Sequence, residues 1–260
     1  MAYEDTIHEK GAVNETLIPG IFKVKRASDP APVHAAGARE AFDSIPGKAS
    51  ISGSIDFSVD PTLAVIVALI LSDVDGLAQQ VTVDDGEGAY TAYFNNAKIS
   101  VPAHDIVTAS MGWDGTAKAA SSLPVGDPVL SDPFMGTNVV LTGFPATFDW
   151  ESLDLNIKAA FNSKYSARGT SRLPAHLAPG YLDVDGEIKF NEDPGIDVLA
   201  ASLAKVATAT IAIKSASGAK TWTITLTDVR FGENPREGEE QNSVNYPMKF
   251  IARLAASAVA

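Results

Sequence analysis

Residues 53–65 read GSIDFSVDPTLAV, and residues 186–198, which lie 133 positions later, read GEIKFNEDPGIDV. The two stretches are identical at six of thirteen positions, and both place Asp-Pro at the same distance after an alternating segment. Alternating strands resemble one another to some degree, but alternation alone does not align Asp-Pro with Asp-Pro. The sequence therefore predicts that the chain is a duplicated unit.

The similarity continues on both sides of these stretches. Upstream, the same shift aligns Phe22, Val24 and Lys25 with Leu155, Ile157 and Lys158. Downstream, a shift of 132 aligns Tyr90, Phe94, Lys98 and Ile99 with Trp222, Leu226, Arg230 and Phe231. The predicted copies therefore extend over most of each half of the chain.

Each copy has the same predicted order of elements. An alternating strand opens each copy, at residues 22–25 and 153–158, with its apolar side chains on one face. A loop rich in Ala, Gly, Pro and Ser follows at residues 27–47 and 162–180, and loops of that length are usually functional or disordered. A second alternating strand then contains Ile55 and Phe57 in the first copy, and Ile188 and Phe190 in the second.

A helix is predicted to follow in each copy. Asp60-Pro61 and Asp193-Pro194 each place a side-chain acceptor at the N-cap and a proline at the first helical position. The first helix, from Pro61 to about Ser72, is apolar on nearly every face, so its packing surface is not evident from the sequence. The second helix, from Pro194 to about Val206, is half solvated because it includes Asp197, Ser202 and Lys205.

Strands return after each helix, most clearly at residues 221–227, where large apolar residues alternate with threonines. Trp222, Ile224 and Leu226 are therefore expected to face a core. The fold class is predicted to be mainly β (α+β), with a curled sheet and one flanking helix in each of two tandem domains. The expected boundaries are an arm at 1–19, domains at 20–118 and 151–260, and a Pro/Gly-rich connector at 119–150 that lies along a surface.

Composition excludes several classes of function. The 260-residue chain has a formal net charge of −12, which disfavours a surface for nucleic acid or anionic lipid. It contains no cysteine, so disulfides, a thiol nucleophile and thiolate metal sites are excluded. The first residues lack the pattern of an export signal, and the longest apolar run, residues 63–71, is about half of the roughly 20 residues that span a bilayer.

No catalytic, cofactor-binding or metal-binding residue is predicted. His8, His34, His104 and His176 lie far apart, and the sequence lacks nucleophile-elbow, zinc-protease and dinucleotide motifs. Residues 73–76 and 183–186 both read DVDG, but they lack the remaining ligands of a calcium loop and are expected to be turns. The acidic run 233–240 is expected to be a solvated loop.

These features together resemble the major tail tube proteins of long-tailed, siphovirus-type bacteriophages, in the class whose single chain carries two tube domains. The resemblance rests on the repeated Gly-x-Ile-x-Phe segments at 53–57 and 186–190, each followed by Asp-Pro and a helix. The predicted last strands, residues 226–231 and 245–250, are separated by a charged loop and also fit this family.

The resemblance implies tail-tube-like β-sandwich or barrel domains whose sheets join those of neighbouring copies around a lumen. It implies a non-enzymatic virion protein without cofactors, which assembles in the host cytoplasm into homotrimeric rings stacked as a tail tube. Expected partners are further copies of the chain, the tape measure protein, and the terminator and tip proteins. DNA is expected to pass through an acidic bore without specific binding, and no membrane is involved.

Two alternatives remain open at this point. A two-domain carbohydrate-binding or adhesion sandwich needs an exposed aromatic platform, whereas Trp113, Trp150 and Trp222 lie within or beside strand patterns and are expected in the core. A tail-tip or baseplate protein with the same fold is the other alternative. Electron microscopy of concentrated protein separates them, because only a tube protein is expected to form stacked rings.

Overall fold

The computed structural model describes residues 2–28, 31–34, 41–45, 49–68, 80–144, 149–164, 176–191, 205–232 and 246–260. These residues form fourteen strands and one helix. The first half of the chain contains β1 (Ala2–Val13), β2 (Thr16–Ser28), β3 (Ala31–His34), β4 (Ala41–Ile45), β5 (Ala49–Ser58), α1 (Pro61–Ala68), β6 (Val81–Asp84), β7 (Ala89–Pro102) and β8 (Thr108–Ala119). The second half contains β9 (Phe134–Thr142), β10 (Trp150–Lys164), β11 (His176–Phe190), β12 (Val206–Ser215), β13 (Thr221–Phe231) and β14 (Tyr246–Val259). The predicted mainly β fold is confirmed.

The first half closes into an antiparallel barrel. Its strands pair in the order β1-β2-β5-β8-β7-β6, and β6 pairs again with β1 at Ala12 and Val13. The hairpin between β1 and β2 turns at Asn14 and Glu15, which have φ values of 46° and 66°. Positive φ at both central residues gives a tight turn whose twist matches that of the flanking strands. Barrel closure removes the unpaired edges that an open sheet exposes.

The sheet continues from the first half into the second through β7. Residues 89–92 of β7 pair with β6, whereas residues 96–102 pair with residues 152–158 of β10. From β10 the strand order is β11-β14-β13-β12-β9, and every one of these pairings is antiparallel. One sheet therefore runs without interruption from β2 to β13, and the β7–β10 pairing is its seam.

One face of this sheet is the core. A row of cross-strand partners on that face passes through eight consecutive strands: Gly20, Phe57, Ala109, Ile99, Leu155, Gly186, Phe250 and Phe231. Buried residues from both halves form one contiguous cluster, which includes Trp113 and Trp222 at 0% exposure and confirms their predicted place in the core. Trp150 packs against the edge of that cluster.

Two glycines in the core face make room for aromatic rings. Gly53 lies opposite Trp113, and a Cβ placed on it would lie 2.5 Å from Cζ2 of that ring. Gly186 lies opposite Phe250, where an added Cβ would lie 2.6 Å from Cε1. Glycine is needed at both positions because the ring from the next strand occupies the volume of its missing side chain.

The helix α1 begins as the sequence predicts. Asp60 Oδ1 accepts hydrogen bonds from the backbone N–H groups of Thr62 and Leu63, both at 2.9 Å, so Asp60 is confirmed as the N-cap. The buried side of the helix contacts β13 and β14, which belong to the other half of the chain. Residues 194–204 of the predicted second helix and its cap Asp193 lie outside the described residues, whereas Val206, its expected last residue, begins β12.

Two segments contain strands that the sequence did not predict. β1 lies within the expected arm at 1–19, and β9 lies within the expected connector at 119–150. The sequence did not reveal β1 because charged residues interrupt its apolar pattern, although Ala12 and Val13 are buried. In β9, Gly136 and the flanking prolines concealed a strand whose first residue, Phe134, is fully buried. The domain boundaries themselves remain predictions.

The connector before β9 is held against both halves, since Asp132 accepts hydrogen bonds from the N–H and hydroxyl of Ser217 in the β12–β13 turn. Asp84 accepts hydrogen bonds from Ser121 Oγ at 2.8 Å and from the Ser122 N–H at 2.7 Å. Asp60, the helix cap, accepts a longer one from the Ser131 N–H at 3.4 Å. Buried carboxylates therefore fix this segment along the protein surface, as the sequence predicted.

Strands also extend into the two predicted long loops. β3 and β4 form a two-stranded sheet between residues 31 and 45, within the loop expected at 27–47. β10 and β11 continue as a paired hairpin to Lys164 and from His176, within the loop expected at 162–180. Backbone pairing with a neighbouring strand lengthens a strand even where the sequence does not alternate.

The segment 183–186 is also not the turn that the sequence predicted. It lies inside β11, where Val184 and Gly186 face the core and Asp183 and Asp185 face the opposite side. The matching segment at 73–76 and the acidic run at 233–240 lie outside the described residues.

Candidate assembly surface

The polar face of the continuous sheet is an extended surface of the described chain. It carries a row of cross-strand partners through eight strands: Ile21, Asp56, Ser110, Lys98, Asn156, Asp185, Ile251 and Arg230. Side chains alternate between the two faces of a strand, so this row lies directly behind the core row. The surface crosses the β7–β10 seam without a break.

In the first half, Asp56 is held by two donors on this face. The Lys23 ammonium lies 3.1 Å from Oδ2, and the Ser110 hydroxyl donates to Oδ1 at 2.5 Å. Asp114 on β8 accepts a hydrogen bond from Asn95 Nδ2 at 2.8 Å. The carboxylates here are therefore paired within the sheet.

The same arrangement recurs at the seam. Asp154 on β10 accepts a hydrogen bond from the Ser100 hydroxyl of β7, and Lys98 Nζ lies 3.4 Å from its other oxygen. These contacts link the first half to the second through side chains as well as through the backbone. Exposed pairs of this type contribute at most about 1 kcal/mol each, so they set register more than stability.

The second half continues the pattern. Asp185 on β11 accepts hydrogen bonds from Asn156 Nδ2 and Lys158 Nζ, both at 3.0 Å. Asp228 sits at a bulge in β13 with a φ of 57°, a conformation that aspartate tolerates better than most residues. The hydrogen bond from Lys205 lowers the pKa of Asp228, and Arg253 lies 3.7 Å away. Acids and bases thus balance one another along the described polar face.

A partly buried ionic cluster, the barrel-end cluster, surrounds Tyr90 beside the β6–β7 turn of the first half. Arg26 of β2 donates a hydrogen bond to the Tyr90 hydroxyl and lies 3.9 Å from Asp85 and 3.7 Å from Glu87. Tyr90 donates to Asp85 at 3.3 Å, and His8 lies 3.6 Å from Glu87. Burial raises the pKa of Tyr90 to about 12. The cluster ties the β6–β7 turn to β1 and β2, which is a structural role.

The described edges and tips of the sheet are where a partner can reach the backbone. Residues 2–8 of β1 pair only with β2 among the described strands. β9 pairs with no described strand other than β12, although its first residues, 134–136, bond to residues 105–107. The β10–β11 hairpin projects past the seam, because residues 159–164 have no partner beyond β11 in the described chain. Ile7, Ile21 and Ile251 are exposed on the polar face, and apolar groups in such positions suit self-association.

The histidines do not come together. His8 belongs to the cluster at the barrel end, and His104 is exposed in the turn after β7. His34 lies on β3 and His176 at the start of β11, far apart along the fold. Among the described residues no group of three or more His, Asp or Glu is placed to hold a metal ion. In the same part of the chain no helix is long and apolar enough to cross a membrane.

The sequence analysis missed most of what organises this surface. Alternation correctly placed Asp56 and Lys158 on polar sides of strands, but it did not identify which strands are neighbours. The pairing of β7 with β10 joins residues 50 to 62 positions apart, and no local pattern encodes it. The barrel-end cluster had a weak signal, the charged residues at 84–87 between two strand patterns.

Comparison with known proteins agrees with this architecture. A family model of phage tail tube proteins matches residues 34–170, just over half of the chain. The match begins at the last residue of β3 and includes β10, so it covers the seam and four of the eight strands of the polar face, namely β5, β7, β8 and β10. No match was found among curated proteins. The chain therefore belongs to the phage tail tube protein family, whose members are structural components of the virion tail.

Proposed function

We propose that the chain carries two copies of one tube domain and that three chains close into a ring of six domains, which stacks into the tail tube. The observation that carries the proposal is the continuous sheet through β7 and β10. It joins the two halves edge to edge with one polar face, which is the geometry that a closed barrel around a lumen requires.

Strand order supports the duplication. In the first half the order is β2-β5-β8-β7-β6-β1, and in the second it is β10-β11-β14-β13-β12-β9. Each strand of one series has a counterpart at the same place in the other. Two unrelated domains have no reason to share both this order and the chain order of their strands.

Matched cross-strand layers support it further. Val24, Gly53, Trp113 and Phe94 are successive partners in the first half, and Leu155, Gly186, Phe250 and Phe231 are successive partners in the second. In the adjoining layer, Ile55 pairs with Met111 and Ile188 pairs with Met248. A glycine under an aromatic ring beside an Ile–Met pair is a specific arrangement, and it occurs at equivalent places.

The polar face is proposed to line the bore. The opposite face is core, and it is covered by α1 and the remaining strands. Because the carboxylates of the polar face are paired with Lys, Ser and Asn, the bore wall would be close to neutral at these positions rather than strongly acidic. Such a wall offers passing DNA neither a basic surface to bind nor a strongly repulsive one.

The ring is the first point to test. Three chains of 27.2 kDa give a ring of about 82 kDa, measurable by native mass spectrometry. Image reconstruction is expected to show three-fold symmetry with a pseudo-six-fold outline, because the two halves are chemically different. Six domains that belong to six chains, or a closed dimer without a lumen, contradict the proposal.

Ring stacking is the second point. The loops at 27–47 and 162–180 are proposed to contact the adjacent ring, and the backbone of the β10–β11 hairpin already projects past the sheet there. Replacing residues 162–178 by a two-residue turn is expected to leave rings intact and to abolish tubes. A matched control shortens the β12–β13 turn at residues 216–219. Tubes that still form from the hairpin variant contradict this assignment.

The bore assignment has its own test. Since the chain contains no cysteine, Asn156→Cys introduces a single thiol on the polar face. In assembled tubes this thiol is expected to react with a small maleimide but not with a 20-kDa polyethylene glycol maleimide that cannot enter from the side, whereas the isolated chain reacts with both. Equal reaction of tubes with both reagents shows that this face is external.

Further roles follow from the family and remain proposals. The tube is proposed to serve as the conduit for genome ejection, and its ends to meet the tape measure, terminator and tip proteins. Assembly is proposed to take place in the host cytoplasm.

A further inference from the structure

We infer that residues 2–8 of β1 cover, in the isolated chain, the edge of β2 to which a neighbouring chain binds in the ring. The inference rests on the proposed function, because it requires a ring of duplicated domains. It identifies the occupant of that edge as the second half of another copy of the chain.

The two halves give the same edge different occupants. Val24 pairs with Gly53, and Leu155 pairs with Gly186, so β10 residues 152–158 correspond to β2 residues 21–27. In the second half, β7 covers residues 152–158. In the first half, β1 residues 2–8 cover residues 22–28. The strand that makes the seam in one half is thus replaced by the chain's own terminal strand in the other.

The counterparts of β1 and β7 indicate what changes on assembly. β9, the counterpart of β1, pairs with β12 and with no part of β10 in the described chain. In the first half, β1 pairs along its length with β2, the counterpart of β10. It pairs with β6, the counterpart of β12, only at Ala12 and Val13. In the second half, the edge of β10 is therefore paired with a strand of the other domain. In the first half, the equivalent edge of β2 is paired with a strand of the same domain.

The cross-strand layers indicate which part of a neighbouring chain would approach β2. Phe94 of β7 and Phe231 of β13 hold the same place beside their aromatic partners, so β13 corresponds to β7. β7 continues past Phe94 into the residues that form the seam with β10. The second half of a neighbouring chain, approaching from the side of β13, is therefore what would continue along β2.

β1 is built so that its first part can separate. The ladder between β1 and β2 shifts register between His8 and Lys10, which divides the strand. On one side of the shift, Ala12 and Val13 are buried and pair with two strands, whereas on the other side Ile7 is 68% exposed. The Thr6 hydroxyl is buried there without a hydrogen-bond partner. Exchanging one antiparallel ladder for another conserves backbone hydrogen bonds, so the net cost is small.

A reversible lock tests the inference. Ile7 and Lys23 are direct partners on the exposed side of β1 and β2, at a spacing that a disulfide can bridge. The double variant Ile7→Cys/Lys23→Cys contains the only two thiols in the chain. When oxidised it is expected to give at least tenfold fewer rings than when reduced, measured by light scattering and electron microscopy. The reduced form carries the same substitutions, so it controls for their direct effect.

A lock at the seam is the matched control. Lys98→Cys/Asn156→Cys joins β7 to β10, a pairing that persists in the ring, so this variant is expected to assemble equally well oxidised and reduced. A third variant that lacks residues 2–8 is expected to assemble at a lower protein concentration than the intact chain. Circular dichroism of each variant checks that it is folded.

The outcomes separate the two proposals. If the oxidised Ile7→Cys/Lys23→Cys variant forms rings as readily as its reduced form, β1 remains on β2 in the ring and the inference is wrong, while the proposed function stands. If neither the intact chain nor any reduced variant forms rings, the proposed function fails and the inference fails with it.

Discussion

The two halves of the chain use the same strand order but end differently. In the first half, β1 pairs with β2 and the strands close into a barrel, whereas in the second half β10 takes β7 as its neighbour and β9 stays on β12. The core layers of the two halves are matched. The halves differ in which strand pairs with the edge of β2 or of its counterpart, β10. A domain of this kind can therefore be closed or joined to another domain without rebuilding its core.

The glycine positions provide the sharpest test of the matched cores. Gly53→Ala and Gly186→Ala each place a methyl group where the ring of Trp113 or Phe250 lies. Each substitution is expected to lower the free energy of unfolding by about 2–3 kcal/mol in urea denaturation, because a filled core must shift. Phe250→Leu is expected to recover part of the loss in the Gly186→Ala background.

Gly232→Ala is the control for both glycines. An added Cβ there meets no atom closer than 3.7 Å, so little change is expected. If one of the two core substitutions is as harmless as this control, the glycine–aromatic layers of the halves are not equivalent.

The helix tests how strongly the halves depend on each other. Leu63 is 2% exposed on the side of α1 that contacts β13 and β14, so Leu63→Ala is expected to cost about 2–3 kcal/mol. Val65 is 55% exposed on the other side, and Val65→Ala is expected to cost less than about 0.5 kcal/mol. Both halves are expected to unfold in one transition, measured by tryptophan fluorescence. Two separate transitions would indicate that α1 does not couple them.

The helix cap gives a smaller effect. Asp60→Ala removes the acceptor for two backbone N–H groups and is expected to cost about 1 kcal/mol in thermal or urea unfolding. Asp127→Ala is the comparison, since that carboxylate is almost fully exposed. Asp193→Ala is predicted to match Asp60→Ala if the second copy has the same cap. Unchanged midpoints for both cap variants contradict the assignment.

The barrel-end cluster gives an effect confined to alkaline pH. The pKa of Tyr90 is raised from 10.0 in the unfolded chain to about 12, mainly by burial, so the folded state keeps the phenol proton to a higher pH. The resulting stabilisation is present below pH 10 and is lost as the pH rises from 10 to 12. Tyr90→Phe cannot ionise, so its midpoint is expected to fall less over that range. Parallel curves for both proteins contradict a buried, protonated Tyr90.

Local patterns predicted individual elements well, because the alternation of Ile55 and Phe57, and of Trp222 and Ile224, directly encodes which side faces the core. Local patterns predicted the alignment of the two copies less accurately. The sequence aligned Phe22 with Leu155, but the pairings with Gly53 and Gly186 make Val24 the counterpart of Leu155. A slip of two residues leaves every side chain on the same face, so alternation cannot detect it. The sequence also aligned Phe94 with Leu226, whereas the pairings with Trp113 and Phe250 make Phe231 the counterpart of Phe94.

Partners that are distant in sequence could not be predicted at all. The surface that α1 covers lies on β13 and β14, and an all-apolar helix has no polar side to indicate its orientation. The strand β1 was missed for the opposite reason, since its many charges fit an edge strand as well as a free arm.

The position of α1 also has a consequence during synthesis. The helix ends at residue 68, but β13, the first strand it packs against, does not begin until residue 221. At about 5–20 residues per second, the ribosome needs roughly ten to thirty seconds to supply that surface. During this interval the buried side of α1 lacks the cover that β13 and β14 provide, and apolar surface exposed in this way favours aggregation.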